Sequence, residues 1–257
     1  MTDQNSTLNF AVAPDCLKGK TILVTGAGAG IGKAAALAYA KHGAEVILLG
    51  RTTAKLEKVY DEIMALSDTY PIAEPAIVPL DLKGASKQNY IDMTTTIEQT
   101  FGKLDGVLNN AGALGSIMPF EQFPQEMLEE VMQVNVNAQF IMMQALIPVL
   151  KKADSASIIF TSSSVGRKGR AFWGPYAISK FATEGMMQVL AEEYDNTKMR
   201  FNCINPGATA TKMRQTAYPA EDQKKLKQPD EIMPVYLYLM SDESQKVNGQ
   251  SLDAQPK

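Results

Sequence analysis

A chain of 257 residues carrying 25 Lys and Arg against 28 Asp and Glu has a net charge of −3. It holds no dense basic run of the kind that nucleic-acid binding uses. With 45% hydrophobic and 21% charged residues it has the composition of a soluble globular protein, long enough to bury a full core without staples. One histidine, His42, and two cysteines, Cys16 and Cys203, exclude a multi-ligand zinc site and a disulfide framework, and predict a reducing cytoplasm.

Residues 1–15 read as a loose polar arm, and no apolar run approaches membrane-spanning length. From residue 16 to 257 a single domain is predicted. Short apolar runs at 21–24, 46–49, 76–80, 106–109, 157–161 and 201–204 alternate with helix-period segments near 31–42, 53–66, 86–101, 125–150, 175–196 and 230–241. Strands apolar throughout and separated by helices imply a parallel sheet covered on both faces. The expected architecture is doubly wound α/β with about seven strands, the last at 249–253.

The first strand runs into Thr25-Gly26-Ala27-Gly28-Ala29-Gly30-Ile31-Gly32, which opens a helix. Glycines there permit a tight turn and let backbone N–H groups approach a pyrophosphate at the positive helix end. A closely packed turn without a ligand would use the same residues, but the strand–turn–helix context favours a dinucleotide. At the end of the second strand stands Gly50, where an acid would hold the ribose hydroxyls of NAD(H). Arg51 follows, and a guanidinium there pairs with a 2′-phosphate, predicting NADP(H) over NAD(H).

Tyr176 and Lys180 stand four residues apart on one face of a predicted helix. A nearby ammonium favours phenolate, so Tyr176 is a candidate acid or base for a carbonyl/alcohol pair. Ser163 closes the preceding strand, and hydroxyls at that end face the crevice where α/β sheets bind ligands. Asn109-Asn110-Ala111-Gly112 and Asn205-Pro206-Gly207 end the fourth and sixth strands at the same edge.

In these motifs, in the Asn of 134–137 and in 206–211, residues 18–253 resemble the short-chain dehydrogenase/reductase family, with a Rossmann-type fold. The resemblance implies a tetrad of Asn135, Ser163, Tyr176 and Lys180. In it the tyrosine moves the proton, the serine holds the substrate oxygen, the lysine tunes the tyrosine and binds ribose, and the asparagine holds a relay water. It also implies that Asp81 and Leu82 contact adenine, that Asn110, Ala111 and Gly112 line the cofactor, and that Thr209 and Thr211 lie beside the nicotinamide. The pattern at 162–174 and 230–234 is similar to bacterial 3-oxoacyl-(acyl carrier protein) reductases. Against that, Asp154 stands where such enzymes carry docking cations, and an acidic carrier gains little from it.

Several features stay open at this level. Arg167, Lys168 and Arg170 either bind an anionic group or form a solvated loop or subunit contact. Phe172 and Trp173 either wall the substrate or pack beneath the loop. His42 reads as a helix end without catalytic role. Segment 212–228 is a short lid. Helical segments 137–150 and 181–190 carry more apolar side chains than one core stripe needs, predicting a homo-oligomer, a dimer or tetramer. The expected function is an NADP(H)-dependent oxidoreductase transferring hydride between the nicotinamide and a carbonyl or secondary alcohol, with an acyl thioester and a small ketone among the candidate substrates. The alternative is a non-catalytic dinucleotide-binding redox sensor or scaffold.

Overall fold

In the computed structural model, which describes residues 10–255, the apolar runs pair into one parallel sheet in the order β3-β2-β1-β4-β5-β6-β7. The strands are β1 Thr21–Thr25, β2 Glu45–Gly50, β3 Ala76–Pro79, β4 Gly106–Asn109, β5 Ala156–Thr161, β6 Met199–Asn205 and β7 Ser251–Asp253. Alternation along each strand feeds two cores. Ile22 and Val24 join helices α1 (Gly30–Lys41), α2 (Thr53–Met64) and α8 (Met233–Met240) on one face. Leu23 joins α3 (Lys87–Phe101), α5 (Ala138–Leu150) and α6 (Gly174–Glu193) on the other. Each such side chain contributes about 1.5–3 kcal/mol on full burial, so a one-residue slip in β1 would exchange the contents of both layers.

The predicted helix over 125–150 is not continuous. It comprises α4 (Gln125–Met132), a π-turn over Gln133–Asn137, and α5. A π-turn accommodates an extra residue in the helical path, and such bulges concentrate at functional sites. Here the bulge contains Asn135, whose side chain is fully buried. His42 caps α1 at its C-terminus, with Nδ1 2.8 Å from the Ala38 carbonyl oxygen.

Residues 10–15 are fastened down instead of loose, while 1–9 lie outside the described residues. The Phe10 ring lies 5.6 Å from that of Tyr238, Val12 packs on the core, and the Ala13 N–H donates to Glu243. Segment 212–228 contains a short helix the sequence reading did not anticipate, α7 (Lys212–Ala217), capped by the Thr211 hydroxyl. Among the described residues no helix is long and apolar enough to cross a membrane.

Candidate active site

The sheet grows to one side through β2 and β3 and to the other through β4, so the strand order reverses between β1 and β4. Crevices at such points bind ligands beyond the carboxyl ends of the strands. Thr25 locks this junction. Its hydroxyl donates to the Leu108 carbonyl (3.2 Å) and accepts from the N–H groups of Asn110 (2.9 Å) and Ala111 (3.0 Å). Asn110 extends the tie, donating to the Thr25 carbonyl and accepting from the Thr161 hydroxyl. Three strand ends are thereby held together. The sequence reading named Thr25 in its motif but gave it no role.

A cavity of about 570 Å³ opens above this junction. Of the residues expected at the cofactor, Gly26, Gly30, Ile31, Arg51, Asn110, Ala111, Gly112, Pro206, Gly207, Thr209 and Thr211 line it. Gly26 has φ +67°, and a Cβ there would sit 3.0 Å from the Ala111 Cα. Gly32 is absent from the wall but shapes it from behind, since a Cβ there would meet the Gly26 carbonyl oxygen at 2.3 Å. Asp81 and Leu82 also stand outside the wall: Leu82 is buried in the α3/α5 core, and Asp81 is exposed and accepts from the Lys83 N–H.

Helix α1 starts behind Ala29 with no side-chain cap and no acid in its first turn. Its first N–H groups and positive end are therefore free to meet an anion, as a pyrophosphate requires. Around the second strand end Gly50, Arg51, Thr52 and Lys55 form the wall. Lys55 was missed by the sequence reading, although its place four residues after Arg51, in the first turn of α2, was available as a signal. Among the described residues neither cation forms an ion pair. The residues present fit a dinucleotide with a 2′-phosphate.

The other end of the cavity holds Ser163, Tyr176 and Lys180. The Lys180 ammonium is almost fully buried, donates to the Thr161 carbonyl at 2.7 Å, and lies 5.5 Å from the Tyr176 ring centre. Burial pulls it from 10.5 down to about 8. Tyr176 is pushed up to about 12 by burial, while a hydrogen bond with Ser163 acts in the opposite direction. Desolvation of the phenol outweighs that hydrogen bond.

Asn135 stands behind this wall. Its Oδ1 accepts from the Ala113 N–H (2.7 Å), and Nδ2 donates to the Ala113 carbonyl (2.9 Å) and the Ser179 hydroxyl (2.9 Å). Both amide protons are spent, so for a relay water the side chain retains only the second lone pair of Oδ1. Its visible work is to join the β4 loop to α6.

The basic loop resolves into separate tasks. Arg167 donates to Asp253 (2.8 Å), Ser251 (3.0 Å) and the Leu252 carbonyl (3.3 Å), clamping the loop after β5 to β7. Arg170 donates to the Tyr218 hydroxyl at 2.9 Å. Trp173 lines the cavity beside Tyr176. Phe172 adopts φ +73°, a left-handed conformation that costs a non-glycine residue about 1–3 kcal/mol. Gln255, also unforeseen, donates to the carbonyls of Pro206 (2.9 Å) and Ala208 (3.1 Å) and supports the β6 loop.

Fold and site together define a dinucleotide-dependent oxidoreductase of alcohol and carbonyl groups, and the family profile described as short chain dehydrogenase matches residues 20–222. The chain belongs to that family. It is 50% identical over 249 residues, 97% of each chain, to the uncharacterized oxidoreductase YciK of Escherichia coli K12. The yciK structure from E. coli superposes with a TM-score of 0.93, covering 97% of this chain and 100% of that one. A short chain dehydrogenase from E. coli CFT073, 50% identical and complexed with NADPH, gives 0.92 over 95% of this chain and 100% of that one. A cyclohexanol dehydrogenase from Acinetobacter sp. SE19 is 32% identical over 241 residues, 90% of this chain and 91% of that one.

Proposed function

We propose that this protein is an NADP(H)-dependent carbonyl reductase in which Tyr176 is the proton donor. The observation that carries the reading is the Tyr176 phenol, buried beside Lys180 in the wall of a cavity whose far end holds Arg51 and Lys55. A bound NADPH supplies hydride to the carbonyl carbon. Charge then develops on the carbonyl oxygen, where the Ser163 hydroxyl donates a hydrogen bond and Tyr176 gives up its proton, later replaced from solvent. Lys180 presents a positive charge below about pH 8 that favours the transient phenolate, and it would hydrogen-bond a ribose hydroxyl of the bound cofactor. Asn135 positions the Ala113 loop against α6. Arg51 and Lys55 hold the 2′-phosphate, and the 50% identical relative complexed with NADPH supports that preference. A dinucleotide sensor would need no such phenol in its wall.

Replacing Tyr176 by Phe removes the proton donor with little loss of volume. Turnover on a confirmed substrate should fall about 10²–10⁴-fold while NADPH affinity by calorimetry stays within a few-fold. Turnover close to the parent's overturns the assignment.

The reading extends to assembly and compartment. Phe140 of α5 and Ile178, Phe181 and Val189 of α6 are exposed, Val189 by 62%. The apolar surplus of these helices is therefore not consumed inside one chain, and a dimer or tetramer through this face covers it. Light scattering at micromolar concentration should give a multiple of 28.0 kDa; a 28.0 kDa particle refutes it. The two free thiols suit a cytoplasmic protein.

A further inference from the structure

We propose that Trp173 is the specificity-determining wall of this site, and that it selects a neutral ring ketone, alicyclic or aromatic, over an acyl thioester on a phosphate-bearing carrier. This rests on the reductase reading and adds its substrate class.

Trp173 is held from three sides. In front, its ring centre lies 5.7 Å from that of Tyr176, at an interplanar angle of 54°. Behind, it lies 5.9 Å from Tyr218. Tyr218 is itself fixed, with the Arg214 guanidinium 4.0 Å from its ring centre and Arg170 donating to its hydroxyl. Along the chain, the left-handed Phe172 accepts from the Met118 N–H at 3.2 Å, and Gly174 lies so close to the Phe123 ring that a Cβ would approach it to 2.5 Å. A strained corner braced on both flanks presents the indole in one orientation, and such strain persists only where the surroundings over-determine it.

Leu114, Met213 and Ala217 supply its apolar neighbours in the wall, beside Arg214 and Thr216. Two of the neighbouring cations are already committed. Arg214 gives two hydrogen bonds to Glu221, at 2.5 and 2.6 Å, and Arg167 is clamped to Asp253. Arg170 faces Tyr218 and is not part of the wall. Lys212 follows Thr211, which packs toward Gly30 at the dinucleotide end. A linear acyl chain covers less of the indole than a ring does. A flat neutral ring gains stacking on Trp173 while its carbonyl reaches Tyr176 and Ser163.

Trp173 is the single tryptophan of the chain, so its emission reports this wall directly. The test titrates the Tyr176→Phe protein, saturated with NADP⁺, with cyclohexanone, acetophenone and acetoacetyl-coenzyme A. In parallel, kcat/KM is measured in the parent, Trp173→Leu, Tyr218→Leu and Tyr218→Phe proteins for cyclohexanone and butanone. Expected are saturable emission changes with both ring ketones at lower concentration than with the thioester. Trp173→Leu should lower the ring-over-linear ratio about tenfold, mainly in KM. Tyr218→Leu should lower it partly and Tyr218→Phe restore it, because the ring supplies the backing. A thioester that binds more tightly than the ring ketones, or a ratio unmoved by Trp173→Leu, overturns the proposal. The binding arm needs no turnover: saturable ring-ketone binding alongside a parent that oxidises no NADPH would sink the reductase reading and leave the wall standing.

Discussion

Replacing Lys180 by Met isolates the energetic consequence of burying an ammonium in the site. The group titrates near 8 in the folded chain against an ordinary 10.5, with burial as the main cause. At roughly 1.4 kcal/mol per tenfold change in proton affinity, the charged form destabilises the fold by about 3 kcal/mol at neutral pH. Because the folded value is the lower one, the unfolded chain binds more protons between pH 8 and 10.5. Parent stability must therefore rise with pH across that window, relative to a variant that cannot titrate. The lost hydrogen bond to the Thr161 carbonyl adds only a constant offset. Urea unfolding followed by far-ultraviolet circular dichroism, at fixed protein concentration, should give a parent-minus-variant difference climbing by about 3 kcal/mol. A flat difference would refute the buried-ammonium account. The same titration predicts that parent turnover declines as pH rises through 8, where the ammonium is lost.

Arg51→Ala and Lys55→Ala should each shrink the NADPH-over-NADH affinity gap by about one to two decades in calorimetry, and equal parent affinities would show that neither meets a phosphate. Asn135→Ala removes three hydrogen bonds and orphans both Ala113 backbone groups, so stability in urea should fall by about 2–4 kcal/mol; a loss below about 1 kcal/mol means the loop re-pairs without it. Gly32→Ala drives a methyl into the Gly26 carbonyl and should weaken NADPH binding at least tenfold, and unchanged affinity would show that the turn yields.

The sheet was legible because its strands are buried on both faces and read as unbroken apolar runs, and 106–109 matches β4 at both ends. The pairing of Tyr176 and Lys180 on one helix face followed from helical spacing, and its weight from Ser163 at the end of the preceding strand. Their protonation did not, because it depends on how deeply neighbouring segments bury them. Arg167 shows the same limit: a cation next to the site looked available for a substrate, and its partners Ser251 and Asp253 lie more than eighty residues away in sequence. Trp173 could be read either as wall or as filler until the Phe172 backbone and the Tyr218 ring fixed its place. The π-turn was not anticipated: Gln133–Asn137 carries two asparagines that its helical flanks lack, but they read as a motif and not as a bulge in the helix.

That π-turn couples two properties that would otherwise drift separately. The bulge holds one residue more than regular α geometry would, so deleting a residue there would straighten the path and re-aim Asn135, while a length change within the regular geometry at the start of α5 would rotate Phe140 by about 100°. The first would take Asn135 from Ala113 and Ser179, and the second would turn Phe140 from its exposed position. Insertions and deletions in this stretch are therefore filtered by both the active site and the outer surface at once, whereas point substitutions on either side can be sampled one at a time. Length variation across 125–150 should accordingly be rare in homologous chains that keep both features, and tolerated together with loss of both in those that do not.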